Sequence, residues 1–385
     1  MMANRYNVIS ADAHLGISPD RWTDRVPARY RDYAPRLVKL ADGGDGVIVE
    51  NRPIYTLGLA IAAKPYEEHS PVGITYESGE GSGSPEQRIH EQDMDGVDME
   101  VMFTSAGNSG FWRGIRDDAA YCAVNHAYNE FLAEEYCAYD RDRLVATGLI
   151  PNAGVDAAIA ELEYCRKAGL KCVAIGALPA GKAYPTPEDD RFWAAALDLN
   201  MPITVHVSWG PRDGGPPVKF QQEPGGLARS AHPGYMLCGT AQKAGNAMQL
   251  VLSGVFDRFP RLQLYWAETN IGWYPHAIEQ ADDQYERVRH WGNRLYGMEP
   301  LKRKPSDYIH DHCFWGFLKD PVGVELRHKV GFDHVMWSSD FPHGAGDWPH
   351  SREVIDGLFA GVPDEERYAM LAGNAVNFFR LDNEA

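Results

Sequence analysis

Two histidines and three carboxylates in this chain stand where they could hold a metal ion. Ser10-Ala11-Asp12-Ala13-His14 closes one apolar run, and Ile203-Thr204-Val205-His206-Val207 carries a histidine near the end of another. Trp266-Ala267-Glu268 and Trp337-Ser338-Ser339-Asp340 each end a further run in an acid. If these runs are strands, period-two alternation puts Asp12 and His14 on one face. Two imidazoles with up to three carboxylates make a hard-to-borderline donor set, suited to Zn²⁺, Mn²⁺ or Fe²⁺. Each residue also has a plain structural reading. A strand-end histidine can be a packed core residue, and Asp12 or Asp340 can cap the turn or helix that follows. Several such residues at strand ends favour the metal, because buried carboxylates are costly without a cation or partner.

The elements that must bring these residues together can be read from apolar periodicity. Short runs recur at Tyr6–Asp12, Asp98–Thr104, Arg143–Ile150, Leu170–Gly176, Pro202–Val207, Leu262–Glu268, Ile309–Trp315 and His334–Asp340. Several are near-continuous rather than alternating, as parallel strands covered on both faces require. Helical spacing separates most of them, at Asp117–Tyr139, Val155–Ala168, Arg191–Leu199 and Trp273–His290, with Asp364–Phe379 closing the chain. Eight strands alternating with helices predict an α/β fold of the (β/α)8, or TIM-barrel, class, in one domain over 1–385. Long insertions should follow strands one and five. The first, 16–97, contains a hairpin (Leu37–Leu40, a turn over Asp42–Gly46, Val47–Val49) and the Gly/Ser stretch 78–85, flexible by composition. The second runs from Ser208 to about His232. Both lie after strands, hence over the C-terminal mouth where lids and substrate pockets are built. Barrel closure would gather strands one, five, six and eight around that mouth.

Composition narrows the function classes. Of 385 residues, 37 are Lys or Arg and 54 Asp or Glu, a net charge of −17. Phosphate backbones and anionic lipid would repel such a chain, so nucleic acid and membrane surfaces are poor partners. No run is long and apolar enough to span a bilayer, and the N-terminus shows no apolar signal core, so a cytoplasmic enzyme acting on a small molecule is expected. The scattered cysteines (Cys122, Cys137, Cys165, Cys172, Cys238, Cys313) form no C-x-x-C pair and read as free thiols.

The motifs resemble those of the amidohydrolase-related family of barrel metal-dependent hydrolases and decarboxylases. The similarity runs through Ser10–His14, Asp95-Gly96-Val97-Asp98-Met99-Glu100-Val101, and Tyr128-Asn129 before Arg141-Asp142-Arg143-Leu144. It continues through Glu268-Thr269-Asn270-Ile271-Gly272-Trp273-Tyr274-Pro275, Ser339-Asp340-Phe341-Pro342-His343 and Gly373-Asn374-Ala375. The resemblance implies one or two divalent cations held by Asp12, His14, His206 and Asp340, and a dimeric barrel. The sixth strand departs from the family pattern. Many members place a histidine there, and this chain has Glu268, which could be a ligand, a general base, a substrate-binding acid, or a cap on the helix near Gly272–His276.

Other residues are candidates of a second rank. His343 follows Asp340 through Phe341-Pro342 and could orient substrate or bond a ligand. His310 and His312 would share a strand face below Trp315, where core packing or support of a ligand is expected. Arg212 and His232 in the second insertion, or Arg113 beside Phe111 and Trp112, could meet a substrate carboxylate. Trp209, Trp266, Trp273, Trp315, Trp337 and Trp348 crowd the strand ends, mostly as core, with one or two suited to line an aromatic pocket. The leading expectation is hydrolysis next to a carbonyl of a small aromatic or carboxylated substrate. A cation would activate water, Asp340 would carry the proton, and Glu268 or His343 would assist. The alternative is non-oxidative decarboxylation of an aromatic acid, with Asp340 protonating the ring carbon. Non-haem iron oxygenation and a metal-free scaffold are further readings.

Overall fold

The computed structural model describes residues 5–41, 43–50, 52–56, 62, 64–68, 73–77, 80–104, 114–210 and 245–382. The first long strand is β1 (Ile9–Leu15), followed by β2 (Arg36–Lys39), β3 (Asp45–Val49) and β4 (Arg52–Thr56). Seven more follow: β5 (Met99–Thr104), β6 (Leu144–Leu149), β7 (Cys172–Ala174), β8 (Ile203–His206), β9 (Leu264–Ala267), β10 (Cys313–Phe317) and β11 (Val335–Trp337). One eight-stranded parallel sheet has the order β1-β5-β6-β7-β8-β9-β10-β11, so each strand pairs with the next one of that sheet in the chain. Helices such as Pro85–Asp95, Asp118–Phe131, Val155–Ala168, Asp190–Asp198 and Tyr274–Val288 connect them. This is the expected (β/α)8 barrel. Continuous apolar strands are its cause: every residue of β5, β6 and β10 is buried, between the barrel interior and the helix layer. Gly148 allows β6 to approach that layer, since a Cβ there would lie 2.7 Å from Cys165 Sγ.

The barrel closes between β11 and β1 through individual bonds. Asp340 N donates to Asp12 O (3.0 Å), His14 N to Phe341 O (2.6 Å) and Ser339 N to Ser10 Oγ (2.9 Å). Ser10 Oγ in turn donates to Asp12 O at 2.7 Å.

Two expected boundaries are corrected. The first strand is shifted three residues, to Ile9–Leu15, so Asp12 and His14 lie inside it rather than at its end. Ile309–His312, expected to begin the seventh strand, instead end the helix Pro305–His312, which has proline in its first turn, and the strand is Cys313–Phe317. His310 and His312 therefore do not share a strand face. His312 stacks on Phe256 (4.2 Å) and its Nδ1 lies 2.7 Å from Leu262 O, a core role.

The expected hairpin is present as β2 and β3, pairing Leu37 with Val47, and β4 adds a third antiparallel strand. Residues 78, 79 and most of the second insertion, with Arg212 and His232, lie outside the described residues, as do Arg113 and Cys238. Part of the Gly/Ser stretch is firmly seated, contrary to its composition. Gly81 N donates to Glu91 Oε1, Ser82 Oγ donates to Tyr76 O, and a Cβ on Gly81 (φ 73°) would lie 2.6 Å from Pro342 Cγ. Ala62 N also donates to Pro342 O, so the insertion touches the turn after β11. Cys137, Cys165, Cys172 and Cys313 are free thiols. Among the described residues no helix is long and apolar enough to cross a membrane.

Candidate metal centre

Four strands deliver the donors. In β1 the register against β5 shifts between Ser10 and Ala13, a one-residue bulge at Ala11-Asp12. Bulges re-aim side chains, and here Asp12 and His14 both reach the mouth. β8 ends in His206 and β9 in Ala267, directly before Glu268. Asp340 stands three residues beyond β11. Val207, Glu268 and Asp340 all adopt positive φ (60°, 55° and 54°). Non-glycine residues avoid that region, most of all a β-branched one, and such strain gathers at functional sites.

The five side chains converge. His14 Nε2 lies 3.1 Å from His206 Nε2, 3.0 Å from Asp340 Oδ1 and 3.7 Å from Asp12 Oδ1. His206 Nε2 lies 3.7 Å from Asp12 Oδ2 and 3.5 Å from Glu268 Oε2. Asp12, His14 and His206 each offer a ligand atom within 4.8 Å of the others, as do Asp12, Glu268 and Asp340. Asp12, His14 and Asp340 are at most 1% exposed, whereas the Glu268 side chain is 32% exposed. The structure thus brings together all the expected ligands, with Glu268 on their solvent side. The amides of Ile271 and Gly272, which Glu268 could have capped, donate to Asp320 Oδ2 at 2.6 Å each.

The electrostatics fit a divalent cation. Burial, then the charge of His343, pushes the His14 imidazole down to about 4. It is neutral at neutral pH, with a lone pair available to a Lewis acid. Burial works against the ionised form of Asp340. The charge of His343 and the hydrogen bonds of His14 and His343 outweigh it, and the carboxyl sits below its ordinary range. Burial likewise lowers His343, but the Asp340 carboxylate 3.1 Å away wins and raises it. The proton of that pair therefore rests on His343, whose ring stacks on His14 at 3.8 Å. His14 Nδ1 and His343 Nε2 are buried with no hydrogen-bond partner among the described residues. Converging imidazoles, buried carboxylates and orphaned nitrogens suit a cation with a polar ligand beside it.

Around this cluster the structure places residues that local sequence reading passed over. Phe103 forms an apolar wall against His206 (5.2 Å) and His14 (6.5 Å). Arg88, wholly buried, pairs with Glu100 and donates to His14 O. Glu100 was a usable signal: a charge inside the apolar strand Met99–Thr104 demands a partner. Of the tryptophans, Trp209, Trp266, Trp315 and the half-buried Trp273 form a contiguous array, with centroids 5.3, 6.0 and 5.3 Å apart in that order. Trp348 packs on Phe341 (4.8 Å).

Comparison with known proteins agrees with this geometry. Residues 12–381 match the family model described as Amidohydrolase. Gamma-resorcylate decarboxylase of Rhizobium sp. is 25% identical over 310 residues, which cover 75% of this chain and 85% of that protein. An amidohydrolase from Mycobacterium avium subsp. paratuberculosis shares the fold with a TM-score of 0.75 at 17% identity, over 98% of this chain and 100% of its own. So does a 5-carboxyvanillate decarboxylase from Novosphingobium aromaticivorans, solved with manganese and 4-hydroxy-3-methoxy-5-nitrobenzoic acid. Its TM-score is 0.68 at 16% identity, over 97% of this chain and 96% of its own.

Proposed function

Because the chain belongs to the amidohydrolase family of enzymes, we propose that it is a divalent-metal-dependent, non-oxidative decarboxylase of a small aromatic acid bearing a hydroxyl beside the carboxylate. The observation that carries this reading is the convergence of Asp12, His14, His206 and Asp340 on one buried point, in a chain whose similarity to a gamma-resorcylate decarboxylase spans 310 residues. That likeness favours decarboxylation over the hydrolysis put first on sequence alone.

Asp12, His14, His206 and Asp340 would hold the cation, with manganese the candidate that the decarboxylase neighbour suggests. When bound, it supplies Lewis acidity that anchors and polarises a carboxylate and its neighbouring hydroxyl. The residues do the rest. As the bond from ring to carboxylate breaks, its electron pair stays on the ring carbon, which must take a proton. His343 carries that proton and Asp340 Oδ1 receives it at 3.1 Å, so the pair delivers it to the ring and CO₂ leaves. His343 Nε2 faces the substrate as a hydrogen-bonding group. Glu268, on the solvent side, accepts a hydrogen bond from a substrate hydroxyl. Phe103 keeps water from the ring, and the insertion 16–97, seated on Pro342, acts as the lid over a single catalytic domain.

The manganese-loaded protein is assayed with 2,6-dihydroxybenzoate, 5-carboxyvanillate and simple hydroxybenzoates in D₂O. The expected result is one CO₂ per product, deuterium at the vacated ring carbon, and loss of turnover in chelator. Incorporation of ¹⁸O from water into a product carboxylate, without CO₂, would instead establish hydrolysis.

A further inference from the structure

The helix Pro85–Asp95 turns a polar face to the barrel: its buried residues are Arg88, Glu91, Gln92 and Asp95. A helix docked for stability buries an apolar stripe. Each of these side chains has a defined task. Arg88 Nε donates to Glu100 Oε2 (2.5 Å), and Gln92 Nε2 donates to the same oxygen (2.9 Å). Glu91 accepts from Gly81 N, and Asp95 accepts from Ser351 N. The remainder of the Arg88 guanidinium reaches the seam between β1 and β11. Nη1 donates to His14 O at 2.9 Å, Nη2 lies 3.5 Å from Phe341 O, and Cζ sits 4.6 Å over the Phe341 ring. One planar group thus grips the backbone of a ligand on β1 and the residue next to a ligand after β11.

We propose that Arg88, oriented by Glu100, is a positioning residue that locks His14 and Asp340 in register by gripping the His14 carbonyl and Phe341. The inference rests on the metal-centre reading above. A buried ion pair is weak evidence for stability, since apolar replacements are often neutral or better. What the guanidinium provides is geometry: five donors in a rigid fork that serve Glu100 and the seam at once. Gly81 completes the clamp, because a Cβ there would lie 3.0 Å from Arg88 Nη1.

Arg88→Lys keeps the charge beside Glu100 and loses the fork. Metal-depleted wild type and variant are titrated with Mn²⁺, free ion being read by electron paramagnetic resonance. Hydrogen exchange at the His14 amide, which donates to Phe341 O, is measured without metal. Arg88→Met combined with Glu100→Gln removes both charges together, leaving neither buried and unpaired. In each variant the expected result is Mn²⁺ binding weakened about 10- to 100-fold, faster exchange at His14, and kcat falling more than KM. The metal-free melting temperature of Arg88→Lys should stay within a few degrees of wild type. Wild-type Mn²⁺ affinity and wild-type exchange at His14 in a folded variant would overturn the proposal. If the wild type itself binds no Mn²⁺, the metal reading fails, and the His14 amide still decides whether Arg88 clamps the seam.

Discussion

Asp12, His14 and Asp340 sit on a seam that is bonded from several directions, whereas His206 and Glu268 stand on the rim where β8 and β9 give out, His206 buried and Glu268 partly exposed. On the seam, backbone bonds run both ways between β1 and β11, Ser10 and Ser339 link their hydroxyls at 2.9 Å, and Arg88 fastens the outside. On the rim, β8 and β9 are each followed directly by a residue at positive φ, Val207 and Glu268, and the Glu268 side chain is one-third exposed. The difference teaches how a barrel can keep one chemistry while varying its substrates. Three of the proposed ligands, Asp12, His14 and Asp340, are built into ring closure. Glu268, the residue at which the sequence departs from the expected family pattern, lies just beyond the paired residues of β9.

Three measurements would break or sharpen that contrast. The largest effect belongs to Asp340→Asn, which keeps the side-chain shape on the seam and removes the carboxylate proposed to pass the proton from His343 to the ring. Turnover should fall by a factor on the order of 10² to 10⁴, with the fold retained by circular dichroism. Near-normal turnover would move proton delivery to another residue.

On the rim, Glu268→Gln keeps size and removes charge. Turnover is expected to drop at least about tenfold with the melting temperature unchanged. Glu268→His should retain metal if the position is interchangeable with the histidine that the family resemblance leads one to expect there. If Glu268→Gln lost stability while keeping rate and metal, the rim would be structural and the contrast would collapse.

The smallest effect is on stability against pH in metal-free protein. His14 titrates near 4 when folded, below the 6.5 of a free imidazole. Between those values the unfolded chain binds the proton first, so stability falls as pH drops through that window. His343 is shifted the other way. Its contribution is full below the free-imidazole value and is lost as pH rises through its raised one. Denaturant midpoints should therefore peak near pH 6.5, and manganese should steepen the acid side by competing with protons. A flat profile from pH 4 to 6.5 would show that the seam does not bury His14 as a neutral group.

Much of this was legible in the residues alone. The helix Val155–Ala168 has the bounds its periodicity predicts, and β8, β9 and β11 lie within the runs that apolar patterning marks, with Glu268 directly after β9 and Asp340 three residues beyond β11. Such features are local: period and burial act over neighbouring residues. The first strand was displaced because Tyr6 and Val8 are buried like strand residues, so the approach to the barrel carries the same apolar signal. Pro305, a first-turn proline, was the overlooked mark that His310 and His312 belong to a helix.

The amino-acid sequence by itself determined the barrel and named the candidate donors that the structure brings together, since both follow from residue type and spacing. Only the tertiary structure decided which charge faces which: Arg88 on Glu100 and His14 O, Ser10 on Ser339 across 329 positions, and Glu268 at the edge of the cluster. The reason is closure. Pattern fixes which face of each strand is buried, but the neighbours of a buried charge exist only once the last strand meets the first.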